Sequence, residues 1–221
     1  MGRPKIARKS TWVDMTAFVD VAFLLLSFFI LTTKFKPPEA VSVVTPNSVS
    51  SKAADEVDQC LVTLSPEGKV YLSFSEEERK VQVVDDLNKR LNLQLTPDEV
   101  KKAGKAEFFA TPLSQLKSFL NLPKEEMGKG TSMPGIPCVD SSNNELTEWI
   151  ASTTTVFLGE KLNLMVKGDK DATYPVFKNV IDAFKKSDQL KFKIITNQEP
   201  LPLNSPAAET AAKKAKGGAA E

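Results

Sequence analysis

The sequence of 221 residues contains no histidine. That absence excludes a Ser-His-Asp triad, a Cys-His nucleophile, a His-ligated metal and a histidine pH switch. Cysteine is almost as scarce. Cys60 and Cys138 cannot supply four thiolates to a metal within one chain, and nothing local to either specifies a disulfide, so a bridge between them stays open. A charge excess is also missing: 29 Lys+Arg face 28 Asp+Glu, a net charge of +1. Phosphate contacts need a basic surplus, so no nucleic-acid partner is expected. Metals and cofactors are likewise not expected, and most hydrolase and metalloenzyme classes fall away before any motif is read.

What is present is one long apolar run in a chain whose averages, 41% hydrophobic and 26% charged, are those of soluble protein. From Thr11 the sequence reads TWVDMTAFVDVAFLLLSFFILTTKFK. Trp12 to Thr33 supplies about 20 residues, enough at ~1.5 Å each to cross a hydrocarbon core of ~30 Å. Trp12 suits one interface, and Lys34 and Lys36 can reach the other. Arg3, Lys5, Arg8 and Lys9 precede the run with no acid among them, which places the N-terminus in the cytoplasm and the rest on the far side. A secretory signal peptide is the rival, with its basic start and apolar core. The length of the run, the carboxylate inside it and the following TTKFKPPE in place of small cleavage-site residues weigh against that. A buried helix of a soluble domain is the other alternative, but LLLSFFIL leaves no polar side for water.

The expected organisation is a basic N-terminus over 1–10, a transmembrane helix over 11–34 and a Pro/Ser-rich tether over 35–58. An α/β domain follows over 59–199, and then a tail over 200–221 with too few large apolar residues to order. Cys60–Leu64 and Val70–Phe74 flank the turn Pro66-Glu67-Gly68-Lys69 and predict a β-hairpin. Val84, Leu87 and Leu91 predict a helix over 81–93, with Glu76, Glu77 and Glu78 just ahead of it. Strands at 162–166 and 192–196 flank a helix at 175–186 and make one β-α-β unit. Between the halves, 95–160 does not fit that scheme. Helix starts at Thr96-Pro97 and Thr111-Pro112, a loop over 127–142 and a helix over 144–158 suggest an insertion. It is expected to pack on the domain through Phe108, Phe109, Leu116, Phe119 and Trp149 and to add partner surface.

Asp20 is the residue that demands a reason. A charged Asp near a helix centre costs about 2.5–3.5 kcal/mol to insert, and such residues mark proton or ion paths and helix pairing. Helical spacing puts Thr16 and Ser27 on its face, a polar stripe that should meet a partner helix or a thin water path. The plainer alternative is an Asp that snorkels to the interface or pairs with a lysine. It lies roughly 12 Å past Trp12, deep for so short a side chain. One helix cannot enclose a proton path, so a membrane complex is implied.

Val13-Asp14-Met15-Thr16-Ala17-Phe18-Val19-Asp20-Val21 and the Leu/Phe run after it resemble the transmembrane signature of the ExbD/TolR biopolymer-transport family. Asp20 falls on that family's proton-carrying aspartate, Thr16 on its threonine, and Asp14 on a cytoplasmic-side helper position; Ala17 departs, since proline is usual there. AVSVVTP at 40–46 resembles the extended segment after the family's membrane helix, with Val41, Val43 and Pro46 as a strand-pairing stretch. It would pair with its copy in a homodimer or along a sheet edge, leaving 47–56 mobile. The resemblance implies an inner-membrane, proton-driven stator subunit whose domain is periplasmic. Its partners would be a second copy of itself, a ring-forming polytopic subunit resembling ExbB or TolQ, and a TonB-like transducer or peptidoglycan. The driven process would be outer-membrane transport, with Tol-type envelope maintenance or gliding motility as alternatives. Two other classes stay open: an anchored binding module without proton chemistry, and an anchored enzyme. The second would rest on carboxylates such as Asp169 and Asp171, for which helix capping is the simpler use.

Overall fold

The computed structural model describes residues 15–32, 41–49, 58–139 and 144–199. The basic N-terminus, Trp12, Lys34, Lys36 and the tail over 200–221 fall outside them. The chain divides into two units, residues 1–37 and 38–221.

The first unit is a single helix, α1 (Met15–Thr32). Its 18 residues span about 27 Å, close to the thickness of a hydrocarbon core. None of its side chains is buried, and Phe18, Phe23, Phe29 and Ile30 are all more than 60% exposed. A helix polar only along the narrow stripe of Thr16, Asp20 and Ser27 has no broad face for water, which suits lipid or other helices around it.

The second unit is built on a four-stranded sheet. β1 (Asn47–Ser48) lies outside it; β2 (Gln59–Leu64) and β3 (Val70–Phe74) form the hairpin, with Gly68 at φ +79° in the turn. α2 (Glu77–Leu91) follows, then the short helices α3 (Pro97–Lys102), α4 (Leu116–Leu120) and α5 (Lys124–Met127), and then α6 (Glu145–Val156). β4 (Asn163–Gly168), α7 (Tyr174–Lys186) and β5 (Lys193–Ile195) complete the β-α-β unit, and β6 (Asn197–Gln198) closes the described chain. The strand order is β3-β2-β4-β5, with β2 antiparallel to β3 and parallel to β4, and β5 parallel to β4. The fold is mixed α/β. α6 packs against both α2 and α7. α7 buries Val180, Ala183 and Phe184, with Val176, Phe177 and Ile181 partly buried behind them.

Two expectations need correction at α2. The helix starts at Glu77, so Glu77 and Glu78 form its first turn and do not precede it. The apolar register is Val83, Val84 and Leu87, while Leu91 stays 37% exposed. The earlier start follows from Lys80, whose stem is buried and whose Nζ donates to the carbonyl of Ala106 at 2.7 Å. Apolar spacing counts lysine as a solvated residue and so begins one turn late.

The segment 95–160 is part of the core, not a decoration on it. Phe108, Phe109, Leu116, Phe119 and Trp149 are all buried. Phe109 is the hinge of the arrangement. Its backbone exchanges two hydrogen bonds with Leu72 of β3, at 2.9 and 2.7 Å, so it covers the sheet's edge. Its ring lies 6.4 Å from Phe74 in the sheet, 6.2 Å from Phe119 and 4.8 Å from Trp149. The stretch expected as a plain loop continues the cover, since the Ile136 amide donates to the Val70 carbonyl at 2.8 Å. Gly135 makes that approach possible: at φ +86°, a Cβ there would sit 3.1 Å from the Val70 nitrogen.

Replacing Phe109 by alanine should therefore destabilise the domain by about 3–5 kcal/mol. Urea denaturation of the full chain in detergent would measure it. A cost near 1 kcal/mol would mean that 95–160 is loosely attached.

Candidate functional site

Two places bear on function, one on the apolar helix and one where the chain after it meets the sheet. The first is Asp20 on α1. Helical periodicity puts Thr16 and Ser27 within about 40° of it around the axis. Ser27 Oγ donates to the Leu24 carbonyl at 3.0 Å and Thr32 Oγ1 to the Phe28 carbonyl at 2.8 Å, so both hydroxyl protons are satisfied within the helix. Asp20 has no hydrogen-bond or ion-pair partner among the described residues. A carboxylate cannot remain so in hydrocarbon; it must take a proton or meet a partner. Asp14 lies outside the described residues.

The second place is where the chain between helix and domain meets the sheet. Asp169 follows β4, and its amide donates to the Leu64 carbonyl at 3.1 Å, adding one rung beyond the β2–β4 pairing. Its buried carboxylate then accepts from the Val44 amide at 2.8 Å (Oδ2) and the Asp171 amide at 2.9 Å (Oδ1). The Lys170 amide returns a bond to the Val44 carbonyl at 2.8 Å. Further along, Asn197 holds the Thr45 carbonyl with its side chain at 3.1 Å and the Pro46 carbonyl with its amide at 2.9 Å. β1 then pairs in parallel with β6, Asn47 opposite Asn197 and Ser48 opposite Gln198.

Residues 41–49 are thus a strap laid on the domain. This part of the expected tether is docked, including Asn47 and Ser48, which were anticipated to be mobile. Val41, Val43 and Thr45 turn inward and Val44 outward, with Thr45 buried. The registered strand pair falls just after Pro46 and joins the strap to its own chain. Asp169 does not cap α7, whose N-cap is Thr173. Its partner lies 125 residues away in sequence, beyond the reach of any local pattern.

The two cysteines are free and buried. Burial pushes the Cys60 thiol above its ordinary value and Cys138 up to about 11. Neither is a nucleophile at neutral pH.

An apolar helix with a single carboxylate, followed by a mixed α/β domain, defines a candidate single-pass membrane protein. The sequence matches the family described as "Biopolymer transport protein ExbD/TolR" over residues 7–199. It is 28% identical over 110 residues to the biopolymer transport protein ExbD of Aquifex aeolicus (strain VF5), a match covering 48% of this chain and 80% of that protein. No solved structure gives a significant match. The chain belongs to the ExbD/TolR family. Members of that family are accessory subunits of biopolymer transport that associate in general with ExbB/TolQ-like and TonB/TolA-like proteins.

Two outcomes test this geometry. The Asp171 and Val44 amides hold the Asp169 carboxyl below its ordinary 3.8. Its grip is therefore complete above that pH and is lost as pH falls through the lowered value. At pH 7, Asp169→Asn turns one acceptor into an amide and should speed hydrogen exchange at the Val44 N–H about tenfold or more. Thiol titration of the native chain should find neither cysteine reacting rapidly, and two reacting after denaturation.

Proposed function

We propose that this chain is the proton-handling subunit of an inner-membrane motor that energises transport across the outer membrane. The observation that carries the reading is Asp20: one unpaired carboxylate on a helix otherwise apolar all round, with Thr16 and Ser27 on its face. Two copies of α1 would sit within a ring of ExbB- or TolQ-like subunits, which supply the walls that one helix lacks. A proton taken up by Asp20 removes its charge, and the neutral and charged helices prefer different positions in the ring. Cycling between them turns a proton gradient into discrete movement.

The N-terminus would be cytoplasmic and the α/β domain periplasmic, where it meets a TonB-like transducer or the cell wall. The strap is the covalent route by which movement of α1 reaches that domain. Val41, Val43 and Pro46 would also meet a second copy when the strap leaves its own domain. Peptidoglycan gripping by an anchored module, with no proton chemistry, is the competing use of the same parts.

Asp20→Asn separates the two, since it keeps shape and removes the titrating proton. The expected result is a loss of about tenfold or more in gradient-dependent uptake, with the complex still co-purifying with its ring partner. Full activity in the Asn variant would sink the motor reading and leave the anchored module.

A further inference from the structure

The helices of the segment 95–160 enclose a shallow concavity of about 230 Å³. Lys102 at the end of α3, Lys105 in the 3₁₀ turn after it and Lys124 at the start of α5 line it, around Leu120, Leu122 and Met127. Its frame is fixed. Asn121 donates to Glu99 Oε1 at 2.9 Å and to the Lys117 carbonyl at 3.1 Å, and accepts from Lys102 Nζ at 2.8 Å. Glu99 is held in turn by a reciprocal capping box with Thr96. The Thr96 amide and the Asn121 side chain keep its carboxyl at about 2, so it stays charged.

Lys105 and Lys124 have no hydrogen-bond or ion-pair partner among the described residues. Burial lowers the pKa of nearby Lys80, and Lys124 adds to that effect, against the larger opposing influence of Glu77 and Glu107. Two lysines without a partner among the described residues therefore line one dent together with three apolar residues.

That combination selects its ligand by charge and shape. Unpaired cations over a hydrophobic floor favour an anion carrying an apolar group. The volume is below the ~300–1,000 Å³ usual for a small-molecule or cofactor site, and suits one anchoring side chain. A concave floor cannot lay its apolar residues into a bilayer, which needs them on a protruding face. We propose that the Lys102–Lys105–Lys124 concavity docks an acidic peptide segment of a partner protein. One apolar side chain of that segment rests on Leu120, Leu122 and Met127, and its flanking carboxylates meet Lys105 and Lys124. This does not depend on proton transfer at Asp20, and the Asp20→Asn chain should bind equally well.

The test uses the full chain in a neutral detergent and a fluorescein-labelled octapeptide of alternating Glu and Leu, followed by anisotropy. Lys105→Glu with Lys124→Glu should weaken binding at least about tenfold, and the Gln counterpart of the peptide should bind at least about tenfold more weakly. Carbodiimide coupling should join the peptide to Lys105 or Lys124, as read by mass spectrometry. A control reversing two lysines elsewhere, Lys185→Glu with Lys191→Glu, should leave binding within about twofold. Equal loss in the control would mean general basic attraction and overturn the proposal, as would unchanged binding in the Lys105/Lys124 variant. Displacement of the peptide by millimolar glycerol phosphate would assign the site to phosphate headgroups and overturn it too. Both substituted lysines are exposed, and coincident thermal unfolding of variant and parent would show that folding is intact.

Discussion

The parallel pairing of β2 with β4 is the constraint on which the domain depends. Its two strands, Gln59–Leu64 and Asn163–Gly168, lie about a hundred residues apart in the chain. Parallel neighbours need a crossover, and here it carries α2 and the whole of 95–160. The pairing also positions the residue next in the chain. One extra rung, from the Asp169 amide to the Leu64 carbonyl, sets the carboxylate where it grips the strap. The core of the sheet and the grip on residues 41–49 thus share one ladder.

The carboxylates of the chain divide by how their charge is met. Glu99 and Asp169 are surrounded by amide donors and are held ionised. Their charge stays put, and they build frames. Asp20 is the contrast, a carboxylate on an apolar helix without a donor among the described residues. Glu99 and Asp169 are satisfied within the chain, whereas Asp20, if the helix lies in hydrocarbon, needs a proton or a donor from another molecule.

Much of this could be read before any coordinates, for physical reasons that are local. The run around Asp20 declares itself by length and hydrophobicity, and the resemblance of its flanking residues already pointed to the ExbD/TolR family that the family match shows. The hairpin, α7 and the capped start of α3 at Thr96 follow from alternation, periodicity and a four-residue motif. What could not be read is long-range. No local pattern marks Lys80 as buried, because its meaning comes from the Ala106 carbonyl 26 residues away. Asp169 resembles any loop aspartate until Val44 arrives from 125 residues upstream. The role of 95–160 was only half visible: its aromatic residues announced burial, but the edge pairing of Phe109 with Leu72 made it inseparable from the sheet.

The strap is held almost wholly by its main chain. Val44 contributes its amide and carbonyl while its side chain is 55% exposed, and Thr45, Pro46 and Ser48 give carbonyls to the partners that hold them. The main-chain part of this grip is sensitive to spacing, because backbone groups recur only once per residue. Substitutions at the outward Ser42 and Val44 should be tolerated, while the inward Val41, Val43 and Thr45 are held by packing. A single inserted or deleted residue between Val44 and Ser48 would throw the Asp169 contacts and the Asn197 contacts out of step with each other. The strap works as a ruler, and its length sets where both ends of the grip fall.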